Sequence, residues 1–540
     1  MNGSGASGRV IQLLDGYTDD PAALGVPPFI SPIVRAVAGA AIDAGYSVEY
    51  ITIDMLRLSQ PLYSACEFSV VASGNTVPGR YLRSLPASER EILHVLPTMS
   101  GIKIGNSSSV RLGPRAGFDY ISSKDLAAMV FDLLTGRNNP ERHRTLDEWN
   151  RWMLLGSGIV KNHQDYPQPL VAEVETYRGC HRHSTGGCSY CIEPEKGPPL
   201  QRRPQSVIEE AELLRRHGVR NIRVGGQTCI ISYGSDCDDE VPKPNPGVVR
   251  ELFEGLRDLE FNVLHVDNAN PAVISTYPEE SREILEILRD CCTSGNVLAL
   301  GMESADHAVI EANNLNAYPE QVLDAVRLIN EVGSDRGENG MPKILPGINI
   351  ISGLGGERAE TYYMNLDFLR KVRDEGLMLR RINIRQVIPV RREFSKKVNP
   401  KQFRRFKKQV REEIDHVMLK SVVPYGAVLK NVYTEIHDGS VTFGRQIGSY
   451  PLLVGIPYKV NLEEFHDVIV IGWGYRSITA LQYPFPINDA SASAISSLPG
   501  IGKKRAATIM RNRPYETFES LASALDDRDV AEKLRPFLDL

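Results

Sequence analysis

Residues 170–191 read LVAEVETYRGCHRHSTGGCSYC, a short apolar run followed almost at once by three cysteines. The run LVAEVET (170–176) has the length and β-branched content of a buried strand. Cys180, Cys188 and Cys191 then fall in one loop at that strand's C-terminal end. Soft thiolates suit two kinds of centre. One is a small structural zinc site, with His181 or His183 as the fourth ligand. The other is a 4Fe-4S cluster held by three cysteines, with one iron left open.

Working outward, the strand signal recurs at NIRVGG (221–226), VLHVDN (263–268), NVLALGM (296–302), ILPGINIISG (344–353) and RINIRQVIPV (381–390). Amphipathic helices such as SVIEEAELLRRHG and EQVLDAVRLINEVG lie between them. Repeated β/α units of this kind predict a partial or complete β/α barrel, whose active site forms at the strand C-terminal ends. Upstream, RVIQLLDGY, PIVRAVAGAAIDAGY, SVEYITID and EFSVVASG alternate strand and helix, which predicts a doubly wound parallel sheet. Downstream, residues 391–411 carry ten Lys/Arg against one Glu, a run read as a solvated face or a phosphate-facing surface. A turn-rich β segment follows and predicts a small barrel. The tail contains LPGIGKKRAATI (498–509), which matches a helix-hairpin-helix; Gly500 and Gly502 permit the hairpin, while Lys503, Lys504 and Arg505 add charge. Its readings are nucleic-acid binding and protein contact.

The expected organisation is an α/β multidomain chain: a Rossmann-like domain over 1–150, a β/α barrel over 151–395, a basic helix with a small β-barrel-like domain over 396–488, and a helix-hairpin-helix domain over 489–540. Net charge is −5, so whole-chain charge does not favour nucleic acid, and any basic surface must be local. No run of eighteen apolar residues is present and the N-terminus lacks a signal-peptide layout, so a cytoplasmic protein without membrane spans is expected. Eight cysteines in 540 residues make no disulfide scaffold. Cys229, Cys237, Cys291 and Cys292 have the scattered spacing of ordinary thiols. Arg381, Asn383, Arg385 and Gln386 alternate along a late strand and would send polar groups inward or form surface salt bridges.

The cysteine loop, with aromatic Tyr190 before the last cysteine, resembles that of radical S-adenosylmethionine (SAM) enzymes. The family spacing is Cys-x3-Cys-x2-Cys; here seven residues separate the first two cysteines. The resemblance continues in order along the barrel. Gly225, Gly226 and Gln227 resemble the turn that holds the SAM amino group, with Gln in place of an acid. Glu303 and Ser304 stand where the family contacts the ribose or carboxylate, and Gly353 opens the Gly-rich stretch that lies against adenine. The resemblance implies a 4Fe-4S cluster on Cys180, Cys188 and Cys191, one-electron cleavage of SAM to a 5′-deoxyadenosyl radical, and an electron donor such as ferredoxin or flavodoxin.

An α/β domain ahead of such a barrel resembles the cobalamin-binding members of the superfamily. It implies cobalamin near Asp15, Gly16, Tyr17, Thr76, Pro78 and Gly79, without a protein histidine ligand, since Asp-x-His-x-x-Gly is absent. Methylthiotransferases also place an α/β domain first, but theirs carries three cysteines where this one has only Cys66. Nearly the whole chain resembles an archaeal group that includes C-methyltransferases of a glutamine in the methyl-coenzyme M reductase alpha subunit. The implied activity is methyl transfer to an unactivated sp3 carbon of a protein or peptide; the alternative is a radical SAM RNA (tRNA)-modifying enzyme that holds RNA through its C-terminal domains.

Overall fold

Every apolar run read as a strand is a strand in the computed structural model, which describes residues 9–17, 28–58, 62, 66–73, 84–106, 117–137, 141–389, 391–394 and 398–540. The chain divides into two units, Met1–Ser184 with Glu193–Asn268, and Thr185–Ile192 with Ala269–Leu540.

In the first unit the strands are β1 (Val10–Gly16), β2 (Phe29–Ile30), β3 (Ser47–Thr52), β4 (Phe68–Ser73), β5 (Ile102–Asn106), β6 (Tyr120–Ser122), β7 (Val171–Glu175), β8 (Tyr177–Arg178), β9 (Leu200–Gln201), β10 (Asn221–Gly225) and β11 (Val263–Val266). One all-parallel sheet has the order β3-β1-β4-β5-β6. The chain steps from β1 to one side and then back to the other. That puts a topological switch point between the C-terminal ends of β1 and β4, the place where open α/β sheets take ligands. Leu14, Ile51 and Val71 pack with Ile92 and Leu96 of the following helical segment in one apolar cluster.

β2 does not join that sheet. It extends the sheet β11-β10-β7-β2, pairing parallel with the first barrel strand, Phe29 opposite Val171. Helix Pro32–Asp43, capped by the Ser31 hydroxyl, follows the same path. Its Arg35 pairs with Glu210 at 2.6 Å and donates to the Glu173 carbonyl, and Arg202 meets Glu210 at 2.5 Å. Arg223 bridges Glu173 at 2.7 Å and Asp267. All six side chains are buried. The stretch near residue 150 is therefore spanned by strand pairing and buried charge. Its end forms helix Leu146–Leu155, opened by a Thr145–Glu148 capping box, with Trp149 fully buried.

The second unit contains β12 (Asn296–Glu303), β13 (Ile344–Ser352) and β14 (Arg381–Gln386), parallel in that order. The barrel strands thus appear in the expected sequence, three in each unit. Beyond them, β15 (Val428–Asp438), β16 (Val441–Gln446), β17 (Leu453–Ile456), β18 (Phe465–Trp473) and β19 (Ser477–Gln482) close a barrel in the order β15-β16-β17-β19-β18. The tail, read as a separate helical piece, shares that barrel's core: Leu498, Ile501, Ile509 and Leu521 pack in one cluster with Val454, Ile469 and Leu481. The physical reason is size, since its longest helix, Lys503–Arg511, has nine residues and cannot bury a core alone. Among the described residues no helix is long and apolar enough to cross a membrane.

Candidate metal and cofactor site

The cysteine loop opens at a two-stranded clip. β8 pairs antiparallel with β9, and the Cys180 amide donates to the Gly197 carbonyl at 3.1 Å. Cys180 is half-buried, and burial pushes its thiol up, an effect that a bound cation reverses. A 3-10 turn at His181–His183 follows. His181 is buried edge-on to Tyr177, and burial holds its imidazole down at about 4, so it is neutral at pH 7. His183 Nδ1 lies 3.2 Å from the Cys180 carbonyl oxygen.

Residues Thr185–Ile192 belong to the second unit and are anchored there. Asn314 Nδ2 donates to the carbonyls of Thr185 and Gly187, at 3.2 and 3.1 Å. Arg391 Nη1 reaches the carbonyl oxygens of Gly186, Cys188 and Cys191 at 2.8, 3.0 and 3.1 Å. The Cys191 amide closes a turn on the Cys188 carbonyl at 3.1 Å. The long first spacing therefore has a structural use: its extra residues supply carbonyls that Asn314 and Arg391 grip. None of the eight cysteines is in a disulfide. Among the described residues, no three His, Cys, Asp or Glu converge as ligands of a single ion. A three-thiolate cluster does not need that convergence, because each sulfur binds a different iron. Cys180 in the first unit, and Cys188 and Cys191 on the gripped segment of the second, are half-buried thiols of the chemistry such a cluster takes.

Gly225 ends β10, and Gly226 takes φ +78° with the Glu175 side chain 2.9 Å from where its Cβ would stand. Gln227 is wholly buried. Its Oε1 accepts from the Thr176 hydroxyl at 3.3 Å and its Nε2 donates to the Asp267 carbonyl at 2.8 Å, so the amide braces the strand ends.

At the end of β12, Glu303 sits at φ +63° beside an irregularity in the β12–β13 register. It is 6% exposed, and its Oε2 is buried with no hydrogen-bond partner. Burial raises its pKa to about 7, against the lowering effects of Tyr190 and of the Arg385 charge. Ser304 is buried, and its hydroxyl caps the Asp306 amide at 3.1 Å. Gly353 has φ +95°, and a Cβ there would meet Val398 at 2.8 Å. The Gly-rich turn is tied to the cysteine loop through Asn313. Asn313 Oδ1 accepts from the Gly355 amide at 3.1 Å and the Ser189 hydroxyl at 2.9 Å, and Nδ2 donates to the Gly355 carbonyl at 2.7 Å. Of the four late-strand residues, Arg385 faces Glu303 and donates to Asn383 at 3.1 Å, whereas Arg381 stacks on Tyr450.

In the N-terminal sheet, Asp15, Gly16 and Tyr17 do lie at the end of β1 beside the switch point, but their side chains are turned to the framework. Asp15 accepts from the Tyr50 hydroxyl at 2.8 Å and the Tyr17 amide at 2.9 Å, and burial raises it to about 6. Tyr17, at φ +63°, donates to Asp54 at 2.8 Å. Thr76, Pro78 and Gly79 lie outside the described residues.

Arg391, Asn313, Asn314 and the effect of Tyr190 on Glu303 were not found by sequence reasoning. Arg391 was visible only as one charge in a basic run, and the Asn313–Asn314 pair carries no pattern of its own.

Residues 174–369 match the Radical SAM superfamily. An uncharacterized protein of Methanocaldococcus jannaschii is 44% identical over 508 residues, spanning 87% of this chain and 93% of that protein. A protein of Archaeoglobus fulgidus is 35% identical over 501 residues, 90% of this chain and 93% of the other. Among solved structures, the radical S-adenosylmethionine methyltransferase TsrM from Kitasatospora setae, with cobalamin and a 4Fe-4S cluster bound, is similar at TM-score 0.48 and 14% identity, covering 70% of this chain and 72% of that one.

Proposed function

We propose a function from the premise that this chain belongs to the family of the Methanocaldococcus jannaschii protein and carries a radical SAM domain. In this reading it is a cobalamin-dependent radical SAM methyltransferase acting on an unactivated sp3 carbon. The first substrate to test is a peptide carrying the glutamine of the methyl-coenzyme M reductase alpha subunit, with a ferredoxin- or flavodoxin-class electron donor. The observation that carries the reading is the buried Glu303 carboxylate at the end of β12, which Tyr190 of the cysteine loop acts on and whose Oε2 has no hydrogen-bond partner.

Cys180, Cys188 and Cys191 would hold the cluster, and Gly225, Gly226, Gln227, Glu303, Ser304 and Gly353 would frame SAM. Cobalamin would sit at the β1/β4 switch point, shaped from inside by Asp15, Gly16 and Tyr17. When bound, these groups supply one-electron cleavage of SAM and a transferable methyl group. The chain's own contribution is position and dryness. Glu303 offers an acceptor to an ammonium or ribose hydroxyl, and such a donor at Oε2 favours its ionised form. Arg391 and Asn314 keep the loop closed, and Asn313 keeps the Gly-rich turn in register with it.

The test is anaerobic reconstitution with iron, sulfide and cobalamin, followed by SAM with an isotopically labelled methyl group and the glutamine peptide. Absorbance of both cofactors and a label in the peptide are expected. Iron–sulfur absorbance alone, or label only in tRNA from the same host, would overturn the assignment.

A further inference from the structure

Part of the basic run is helical. Helix Pro400–Val410 starts at an Asn399 cap, buries Phe406 and Val410, and continues into a π-helical turn, Arg411–Asp415. Between that helix and the turn joining β18 to β19 lies a cavity of about 500 Å3, lined by Phe403, Arg404, Lys407, Lys408, Arg411, Glu412 and Tyr475. The far wall is fixed in place, for His416 Nδ1 lies 3.2 Å from the Gly474 carbonyl and its ring packs against Tyr475.

The charge in this cavity is unbalanced. Glu412 is taken by Lys408 at 3.7 Å, Glu413 by Arg370 at 2.7 Å, and Asp415 by Arg476 at 3.9 Å, with Arg380 and Arg411 also acting on it. Among the described residues, Arg404, Lys407 and Arg411 make no ion pair. Lys407 is pushed down by burial and by the charges of Arg411 and Arg476, the mark of a site short of an anion. Two rings stand among these cations. Lys407 Nζ lies 5.3 Å from the Phe403 ring centre, and Tyr475 is 53% exposed.

We propose that this cavity binds single-stranded nucleic acid, with Arg404, Lys407 and Arg411 on backbone phosphates and Phe403 or Tyr475 stacked on a base. The cations alone would suit any polyanion, and the rings make the choice: a tract that combines phosphate-tracking cations with exposed aromatics is the arrangement single strands require. A membrane surface fits poorly, because the helix turns its apolar residues Phe406 and Val410 inward. An acidic peptide would leave both rings idle. The cavity volume is in the range of small-ligand sites, enough to take a nucleotide unit. This site goes beyond the methyltransferase reading and does not depend on it.

The test uses the full chain and a fluorescein-labelled 12-nucleotide oligouridylate, read by anisotropy across a salt series, with the matching DNA as a second arm. Three phosphate contacts predict a log–log salt slope of about −2, and Lys407→Glu or Arg411→Glu should each flatten it by about 0.7 or more. Tyr475→Ala should weaken binding roughly 5- to 150-fold without changing the slope. A Lys503→Glu/Lys504→Glu double variant separates the hairpin, and the Tyr475 effect should persist in it. Tighter RNA than DNA binding assigns the natural ligand as RNA, and the reverse assigns DNA. Equal competition by polyglutamate together with a silent Tyr475→Ala, or no salt-dependent binding at all, overturns the proposal. All variants alter exposed or half-buried side chains, so an unchanged melting temperature verifies that each is folded.

Discussion

Arg391 is the most exacting test of how the cysteine loop is held. Replace it with Gln and the carbonyls of Gly186, Cys188 and Cys191 lose one shared cationic donor. An Nη1 amino group has two hydrogens, so at most two of the three contacts are fully made at any moment. Charged hydrogen bonds contribute about 1.5–3 kcal/mol each, giving an upper bound of about 3–6 kcal/mol. Half-exposure of the guanidinium and substitution by water cut this substantially. The figure for partners that orient metal ligands, a 10- to 100-fold loss of affinity or about 1.4–2.7 kcal/mol, is the better expectation. The assay is anaerobic reconstitution followed by a chelator titration, scored by iron, sulfide and cluster absorbance, with circular dichroism as the fold control. Arg391→Gln should lose its cluster at 10- to 100-fold lower chelator concentration. Arg391→Lys should fall between, because it keeps the charge but not the fork. Wild-type chelator resistance in Arg391→Gln would refute the idea that this guanidinium positions the loop.

Three other outcomes are expected. Cys180→Ala, Cys188→Ala and Cys191→Ala should each abolish SAM cleavage, whereas His181→Ala and His183→Ala should retain iron; loss of all metal from a histidine variant would revive the zinc reading. Glu303 has a folded pKa of about 7 against an ordinary value of 4.5, so the native state holds the extra proton between those limits and stability falls as pH rises through that window. In the cofactor-free chain, Glu303→Gln should match wild type below about pH 4.5 and exceed it by up to about 3 kcal/mol above pH 7; identical pH profiles in urea melts would show that Glu303 is not the group responsible. Glu210→Ala strands two buried guanidiniums, Arg35 and Arg202, and should cost about 3–5 kcal/mol, with a loss under 1 kcal/mol counting against the buried network.

Much of the frame was legible from residues 170–191 outward. Strands buried on both faces read as continuous apolar runs, and helices between them carry their own period, so β1, β3, β4 and the barrel strands could be marked locally. The three cysteines stood out by their close spacing, while the turns at Gly225, Glu303 and Gly353 were singled out through the resemblance to radical SAM enzymes, and each falls at the end of a strand. Domain edges were less legible. Phe29–Ile30 is too short to signal a strand, and only its pairing with Val171 sends it to the barrel sheet. Nor does a helical Arg at 35 announce a buried partner at 210.

Which elements form, in what order, and which thiols share a loop follow from periodicity, capping and cysteine spacing, all short-range properties. Tertiary structure decided the rest. It brought Tyr190 to Glu303, bent Arg391 onto the loop carbonyls, turned Asp15 and Tyr17 inward, and, among the described residues, left Arg404, Lys407 and Arg411 without an ion pair. Each of these depends on where side chains far apart in sequence meet and on how much water is excluded there. Burial, not residue type, sets whether a charge is paired, shifted or left waiting for a ligand.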